Sequence, residues 1–409
     1  MAKNEIVSCI DVGTTKVCSI MAKAGHGRDL QVLGVGIAPS RGLHKGLVVN
    51  IPEAKRSIQV SVKRAEQASG IKMDSAYVGV TGRHVNSLNK RGVVSINRND
   101  KLVRPDDLRR VMRAARTVNV PADRKLLHVI PRGYAIDGQA GVMDPVGMHA
   151  FRLDVETHII TAAVASVQNL VKCIRGVGID IEDLVLEPLA SGESVLRLDE
   201  RDAGVVLADI GGGTTDVAIF KDGSIWHTAI LPVAGYQITR DIAIGLGLPF
   251  DVAEEMKKKY GSVTPVYNGK EKEKEQPMLR IENGYSIPFQ ELSEIIKARI
   301  EEILKLIALE IPGSDYVKDV PAGLVLTGGS SNLTGADVLA EDVLGLPARV
   351  GIPTGVYGLA DVLPDPAYAT GVGLLLWGSS GHDSQNTWQT GAFGGVFKRF
   401  MSRVRRIVR

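Results

Sequence analysis

The chain has 409 residues, 44% hydrophobic, 23% charged and 5% aromatic, which is ordinary for a globular protein and too long for a single core, so two or more domains are expected. Forty-nine Lys and Arg against forty-six Asp and Glu leave a formal net charge of +3, which by itself suggests no strong affinity for nucleic acid. Cys9, Cys18 and Cys173 are an odd number without C-x-x-C spacing, which argues against a disulfide framework or a zinc site and for a reducing cytosol.

The first residues read as a strand (Ile6 to Ile10), a polar turn (Asp11 to Lys16), a strand (Val17 to Met21), a Gly-rich turn and a third strand (Gln31 to Ile37). Lys3 and Glu5 precede this short apolar run, and nowhere do roughly 20 apolar residues follow one another, so neither a signal peptide nor a transmembrane helix is expected. An amphipathic helix is predicted from about Pro52 to Ser69, with Pro at a helix-starting position, and then a strand from Ala76 to Val80. Residues 83–166, with a helix after Pro105, read as an inserted small α+β domain. From Val167 onward strands and helices alternate again. A helix-rich block spans 236–304 and contains the charged stretch Lys270 to Glu275, read as a solvated loop.

One pattern repeats. Ile10-Asp11-Val12-Gly13-Thr14-Thr15-Lys16-Val17 recurs as Ala208-Asp209-Ile210-Gly211-Gly212-Gly213-Thr214-Thr215-Asp216-Val217, with its aspartate displaced by 198 residues. Each copy is a strand, a Gly/Thr turn and a strand, and two such units suggest two similar α/β lobes facing each other. Turns built of Gly and Thr let the main chain approach a polyphosphate. Thr14, Thr15, Thr214 and Thr215 add hydroxyl donors, while Asp11 and Asp209 can hold Mg²⁺ through its water shell. A third loop, Thr327-Gly328-Gly329-Ser330-Ser331-Asn332, follows an apolar strand and could lie against a nucleoside. Taken singly, each loop is also an ordinary turn.

These three loops, in this order, resemble the two phosphate motifs and the adenosine motif of the actin, sugar kinase and chaperone ATPase superfamily. The resemblance implies an actin-like two-lobed ATPase fold with ATP and Mg²⁺ as cofactors. The nucleotide would meet Gly13, Thr14, Thr15, Lys16, Gly211, Gly212, Gly213, Thr214, Thr215, Gly328, Gly329, Ser330 and Asn332. Leu186-Glu187-Pro188-Leu189 resembles the superfamily's first connector, which makes Glu187 the candidate water-orienting residue, although a carboxylate before Pro also serves as a helix cap. Glu254 and Lys257 resemble its E-x-x-K adenine and ribose contact, and they equally suit a solvated helix face.

The chain end differs from both lobes. Residues 378–393 are polar and Gly/Ser-rich, a flexible linker of sixteen residues with a reach of about 20 to 24 Å. Residues 394–409 hold six basic residues and no acid, so the remaining 393 residues carry −3. At about 100° per residue, Val396, Phe397, Phe400, Met401, Val404, Ile407 and Val408 fall within roughly 140° of arc, and Lys398, Arg399, Arg403, Arg405, Arg406 and Arg409 fall opposite. This is the pattern of an amphipathic helix lying on anionic lipid, where each cation contributes about 1 kcal/mol. A terminal helix docked on its own protein would not require six cations. A helix for calmodulin or nucleic acid shares the basic pattern.

Only fourteen residues separate Ile37 from Pro52, too few for the extra lobe that actin and the chaperones carry there. The displaced insertion after residue 82, the turn Gly13-Thr14-Thr15-Lys16, the segment Gly235-Tyr236-Gln237-Ile238-Thr239 and the basic tail together resemble the bacterial FtsA family over essentially the whole chain. The resemblance implies first-lobe residues 1–82 and 167–195, second-lobe residues 196–235 and 305–377, and a subdomain at 236–304. It further implies a peripheral protein on the cytoplasmic face of the membrane at the division site. Such a protein self-associates into filaments, binds the C-terminal peptide of FtsZ near Arg299, recruits later division proteins, uses no nucleic acid and has at most weak ATPase activity. Arg299 also fits a plain surface charge. An actin-fold small-molecule kinase and a shape-determining filament protein are the competing readings. The first would need an acceptor-site base that no motif identifies, and the insertion weighs against the second.

Overall fold

A computed structural model describes residues 6–24, 29–117, 119–264, 278–280, 286–312, 316–359 and 361–380. The predicted amphipathic tail, most of the linker and the stretch Lys270 to Glu275 lie outside these residues. Two sheets form the body. In the first, strands Ile6–Val12, Lys16–Ala24 and Leu30–Pro39 make an antiparallel meander, and Ser75–Val80 and then Asp180–Leu186 add in parallel beside Ile6–Val12. The second repeats that order: Val205–Ile210, Thr215–Lys221 and Ser224–Leu231 form the meander, and Leu324–Thr327 and Ala348–Val350 extend it in parallel. Val205–Ile210 is buried at every residue, as a strand covered on both faces must be. The duplication therefore extends from the two turns to the whole strand order.

The helix after the first meander runs Ile51–Ser69. Asn50 caps it by accepting the Glu53 N–H at 3.2 Å, Pro52 lies in its first turn, and Gly70 ends it at φ 68°. These are ordinary helix start and stop signals. The two lobes differ in where extra chain enters. Strands Val85–Ser95, Arg124–Ile136, Gln139–Val142 and Arg152–Ala163 make a separate four-stranded antiparallel sheet, covered by helix Pro105–Arg116 around a small core of Ile96, Val111, Ala115, Leu153 and Val155. In the second lobe, helices Gly235–Gly245, Phe250–Tyr260 and Phe289–Leu309 follow the meander. The inserted sheet reaches that lobe through Ser87, whose hydroxyl donates to the Thr228 carbonyl at 3.0 Å, and through His158, 2.9 Å from the Thr228 hydroxyl.

The end of the chain departs from the expected division. Residues 305–377 are assigned above to the second lobe, yet Val356–Gly358 pairs in parallel with Leu30–Val32 of the first sheet. Helix Ala369–Ser379 also packs into the first core through Ala369, Val372, Leu374 and Leu375. That helix covers the first two positions of the expected linker. It and helix Glu187–Val195 are the last helices of their respective repeats, and they cross each other between the lobes. A helix apolar on all sides has to be buried, and its contact is close: a Cβ on Gly373 would lie 1.7 Å from the Ala190 carbonyl oxygen. Gly373→Ala is therefore expected to destabilise the fold by about 3 kcal/mol through overpacking, read as a lower urea midpoint. An unchanged midpoint would show that the two helices slide apart freely.

Candidate functional site

Both repeats bring a four-residue turn to the gap between the lobes. In the first hairpin Asp11 pairs with Cys18 and Val12 with Val17; in the second Asp209 pairs with Asp216 and Ile210 with Thr215. The equivalence is thus gap-free. Thr14 and Thr15 stand where Gly212 and Gly213 stand, Lys16 matches Thr214, and Cys18 matches Asp216. The two turns meet face to face. A Cβ on Gly212 would be 2.3 Å from Thr15 Cγ2, and one on Gly213 would be 2.4 Å from Thr14 Oγ1. The second turn is held from behind by helix Gly235–Gly245, whose Gly235 and Tyr236 N–H groups donate to the carbonyls of Gly211 and Gly212 at 3.0 and 2.7 Å.

Beside the turns lies a cleft of about 420 Å³. All the residues assigned above to nucleotide and metal line it, along with Glu187, except Thr215. Thr215 begins a strand, so alternation turns it to the side opposite Thr214 and Asp216. Its hydroxyl donates to the Val233 carbonyl at 2.7 Å and so does not face the cleft, in contrast to the expected phosphate contact. Gly328 carries φ 82°, and a Cβ there would reach 2.4 Å from Asp209 Oδ1, so the third loop can pass this aspartate only as glycine. Asn332 Nδ2 donates to Asp365 Oδ1 at 2.9 Å. Lys257 is not a solvated side chain: its ammonium donates to Glu254 Oε2 at 2.7 Å, Thr239 Oγ1 at 2.8 Å and the Gly235 carbonyl at 3.1 Å. Arg299 lies away from the cleft on helix Phe289–Leu309, donating to Asp241 Oδ2 at 2.5 Å and paired with Glu302.

Four carboxylates converge at the bottom of the cleft. Burial raises the Asp11 pKa to about 7, with Lys16 opposing the rise and Asp209 adding to it. Burial likewise raises Asp216 to about 7 against hydrogen bonds from Thr81 and Thr214. Glu187 is pushed well above its ordinary value by burial and by Asp11, Asp216 and Asp209. Asp209 is raised too, although Ser191 and Thr370 donate to its Oδ2 at 2.5 and 3.1 Å. Facing them is Lys16, itself lowered by burial, with its Nζ 3.5 Å above the Tyr368 ring centre. Buried acids gathered this closely favour protons or a cation.

Asp216, Thr81, Ser191, Thr370 and Asp365 escape the sequence reading. Asp216 left a signal, a charge directly before the apolar run Val217 to Phe220, at a position where the other repeat has Cys18. The hydroxyls left none. Because the Asp216 pKa rises from 3.8 to about 7 on folding, the folded chain holds a proton that the unfolded chain has lost. Its contribution to stability is largest below pH 4 and disappears as pH climbs to about 7. Asp216→Asn is therefore expected to raise the melting temperature of the nucleotide-free protein, and the gain should grow between pH 5 and pH 8. A gain independent of pH would assign the effect to packing.

Comparison with known proteins agrees with this geometry. A family profile described as "Cell division protein FtsA" matches residues 206–373, and one described as "SHS2 domain inserted in FTSA" matches residues 82–161. The chain is 44% identical over 369 residues to the cell division protein FtsA of Pseudomonas aeruginosa, covering 90% of this chain and 88% of that one. It is 37% identical to the Bacillus subtilis protein of the same name over 92% of this chain and 84% of that one. Among solved structures, the PilM-PilN type IV pilus biogenesis complex matches with a TM-score of 0.66 at 18% identity, over 91% of this chain and 98% of that one. MreB5 of Spiroplasma citri matches with 0.55 at 15%, over 92% and 97%. The architecture is the actin-like two-lobed ATPase fold with an inserted domain, and the chain belongs to the FtsA family of bacterial cell-division proteins.

Proposed function

We propose that this cell-division protein binds Mg-ATP in the interlobe cleft, assembles into filaments on the cytoplasmic face of the membrane, tethers FtsZ there and recruits later division proteins. The observation that carries the nucleotide reading is the meeting of two matched Gly/Thr turns with four buried carboxylates at one cleft. The residues suit the ion. Asp11 and Asp209 offer hard oxygen donors to the cleft from the two facing repeats. That arrangement fits an ion that keeps most of its own waters. Thr14, Thr15 and Thr214 face the phosphates, the Gly328 to Asn332 loop faces the nucleoside, and Glu254 with Lys257 hold the ribose side. MreB5 of Spiroplasma citri was solved with ADP and with AMPPNP, which supports the same use of the fold here.

In this reading ATP acts mainly by closing the cleft, since a ligand bound across two lobes stabilises their closed arrangement, and Glu187 positions water for slow hydrolysis. Head-to-tail contacts that do not close on themselves give filaments. The cationic, amphipathic pattern of residues 394–409 supports reversible attachment to anionic lipid, and among the described residues no helix is long and apolar enough to cross a membrane. Arg299, held by its ion pairs with Asp241 and Glu302, contributes to the surface that takes the FtsZ peptide.

Asp209→Ala is expected to weaken Mg-ATP binding roughly tenfold or more, measured by calorimetry; unchanged affinity would place the nucleotide elsewhere. For the adaptor role, sedimentation with anionic liposomes should pellet the full chain and carry FtsZ with it. A version ending at Gly391 should stay in solution. Equal pelleting of both versions would remove the anchor, and pelleting that never includes FtsZ would remove the tether.

A further inference from the structure

Glu187 and Thr81 line the interlobe cleft and also a second, smaller cavity of about 20 Å³ behind it, whose walls include Gly46, Gly79, His84 and Ser166. A space of this size accommodates one water when polar groups surround it. His84 supplies the need for one. Both of its ring nitrogens are buried with no hydrogen-bond partner in the protein, whereas its carbonyl is fixed by Arg124 Nη2 at 3.0 Å and the Ala163 N–H at 3.1 Å. Burial and the nearby Arg124 lower the imidazole to a pKa of about 4, so at neutral pH it offers one donor and one acceptor. Buried polar groups left without a partner are destabilising, so both nitrogens call for one.

The opposite wall is built to admit the Glu187 carboxyl. A Cβ on Gly79 would lie 3.2 Å from Glu187 Cγ and 3.3 Å from Oε1, so a side chain at that position would crowd the acid. We infer that one buried water bridges the His84 imidazole to the Glu187 carboxyl, and that His84 is thereby a positioning residue for Glu187 in the cleft. His84 immediately precedes Val85–Ser95, the first strand of the inserted sheet. The bridge therefore ties the root of the inserted domain to the floor of the cleft. The consequence for nucleotide rests on the cleft being the Mg-ATP site; the bridge itself does not.

Two measurements on the full chain test this. With ¹⁵N-labelled histidine, the His84 ring signals, assigned through His84→Gln, should report one neutral tautomer and should shift on Glu187→Gln. Signals identical in wild type and Glu187→Gln would overturn the bridge. By calorimetry, His84→Phe should weaken Mg-ATP binding roughly tenfold, while His84→Gln, which restores a donor and an acceptor, should stay within about twofold of wild type. Equal weakening in both variants, or in neither, would overturn the positioning role and leave His84 as packing. Wild-type protein that binds no Mg-ATP would defeat the nucleotide reading, and the labelled spectra would still decide the bridge.

Discussion

The burial of Asp11, Glu187, Asp209 and Asp216 together at one cleft is the constraint around which the molecule is organised. Each acid is held by a different part of the chain: two by the central strands, one by the next strand over, and one by the helix that joins the repeats. Nearby hydroxyls soften the cost without removing it. Ser191 and Thr370 donate to Asp209, Thr81 and Thr214 to Asp216. The remainder is offset by the two large cores on either side, since a local arrangement this unfavourable persists only where the surrounding packing over-determines it.

The two repeats share a strand order but not a chemistry. At matched positions the first contributes Lys16 and Cys18, the second Thr214 and Asp216. Of the two matched hairpins, the first supplies a cation and the second the additional acid, so neither hairpin alone makes the whole site. The turns divide space in the same way: the threonines of one occupy the volume that the glycines of the other leave open.

Much of this is legible in the amino-acid order, and the rest is hidden for identifiable reasons. Helix Ile51–Ser69 and the opening meander follow from apolar period, the Asn50 cap, Pro52 and Gly70. The turns stand out because Gly and Thr repeat beside an aspartate. Thr215 is misassigned because a turn does not announce the phase in which the next strand begins to alternate. Strand Val356–Gly358 has three residues, too few for any period, so its return to the first sheet has no local signature. The all-round apolar character of Ala369–Ser379 signals burial without naming the partner. Ser191 and Thr370 are ordinary residues until the fold brings both to Asp209.

The contact between Glu187–Val195 and Ala369–Ser379 at Gly373 also makes one unit of pieces far apart in the chain. Ala369–Ser379 packs on the first sheet and on Glu187–Val195 at once, and its Thr370 donates to Asp209. Its partner helix begins with Glu187. Two acids of the cleft, one from each repeat, therefore lean on the same helix pair, so any shift of that pair moves both together.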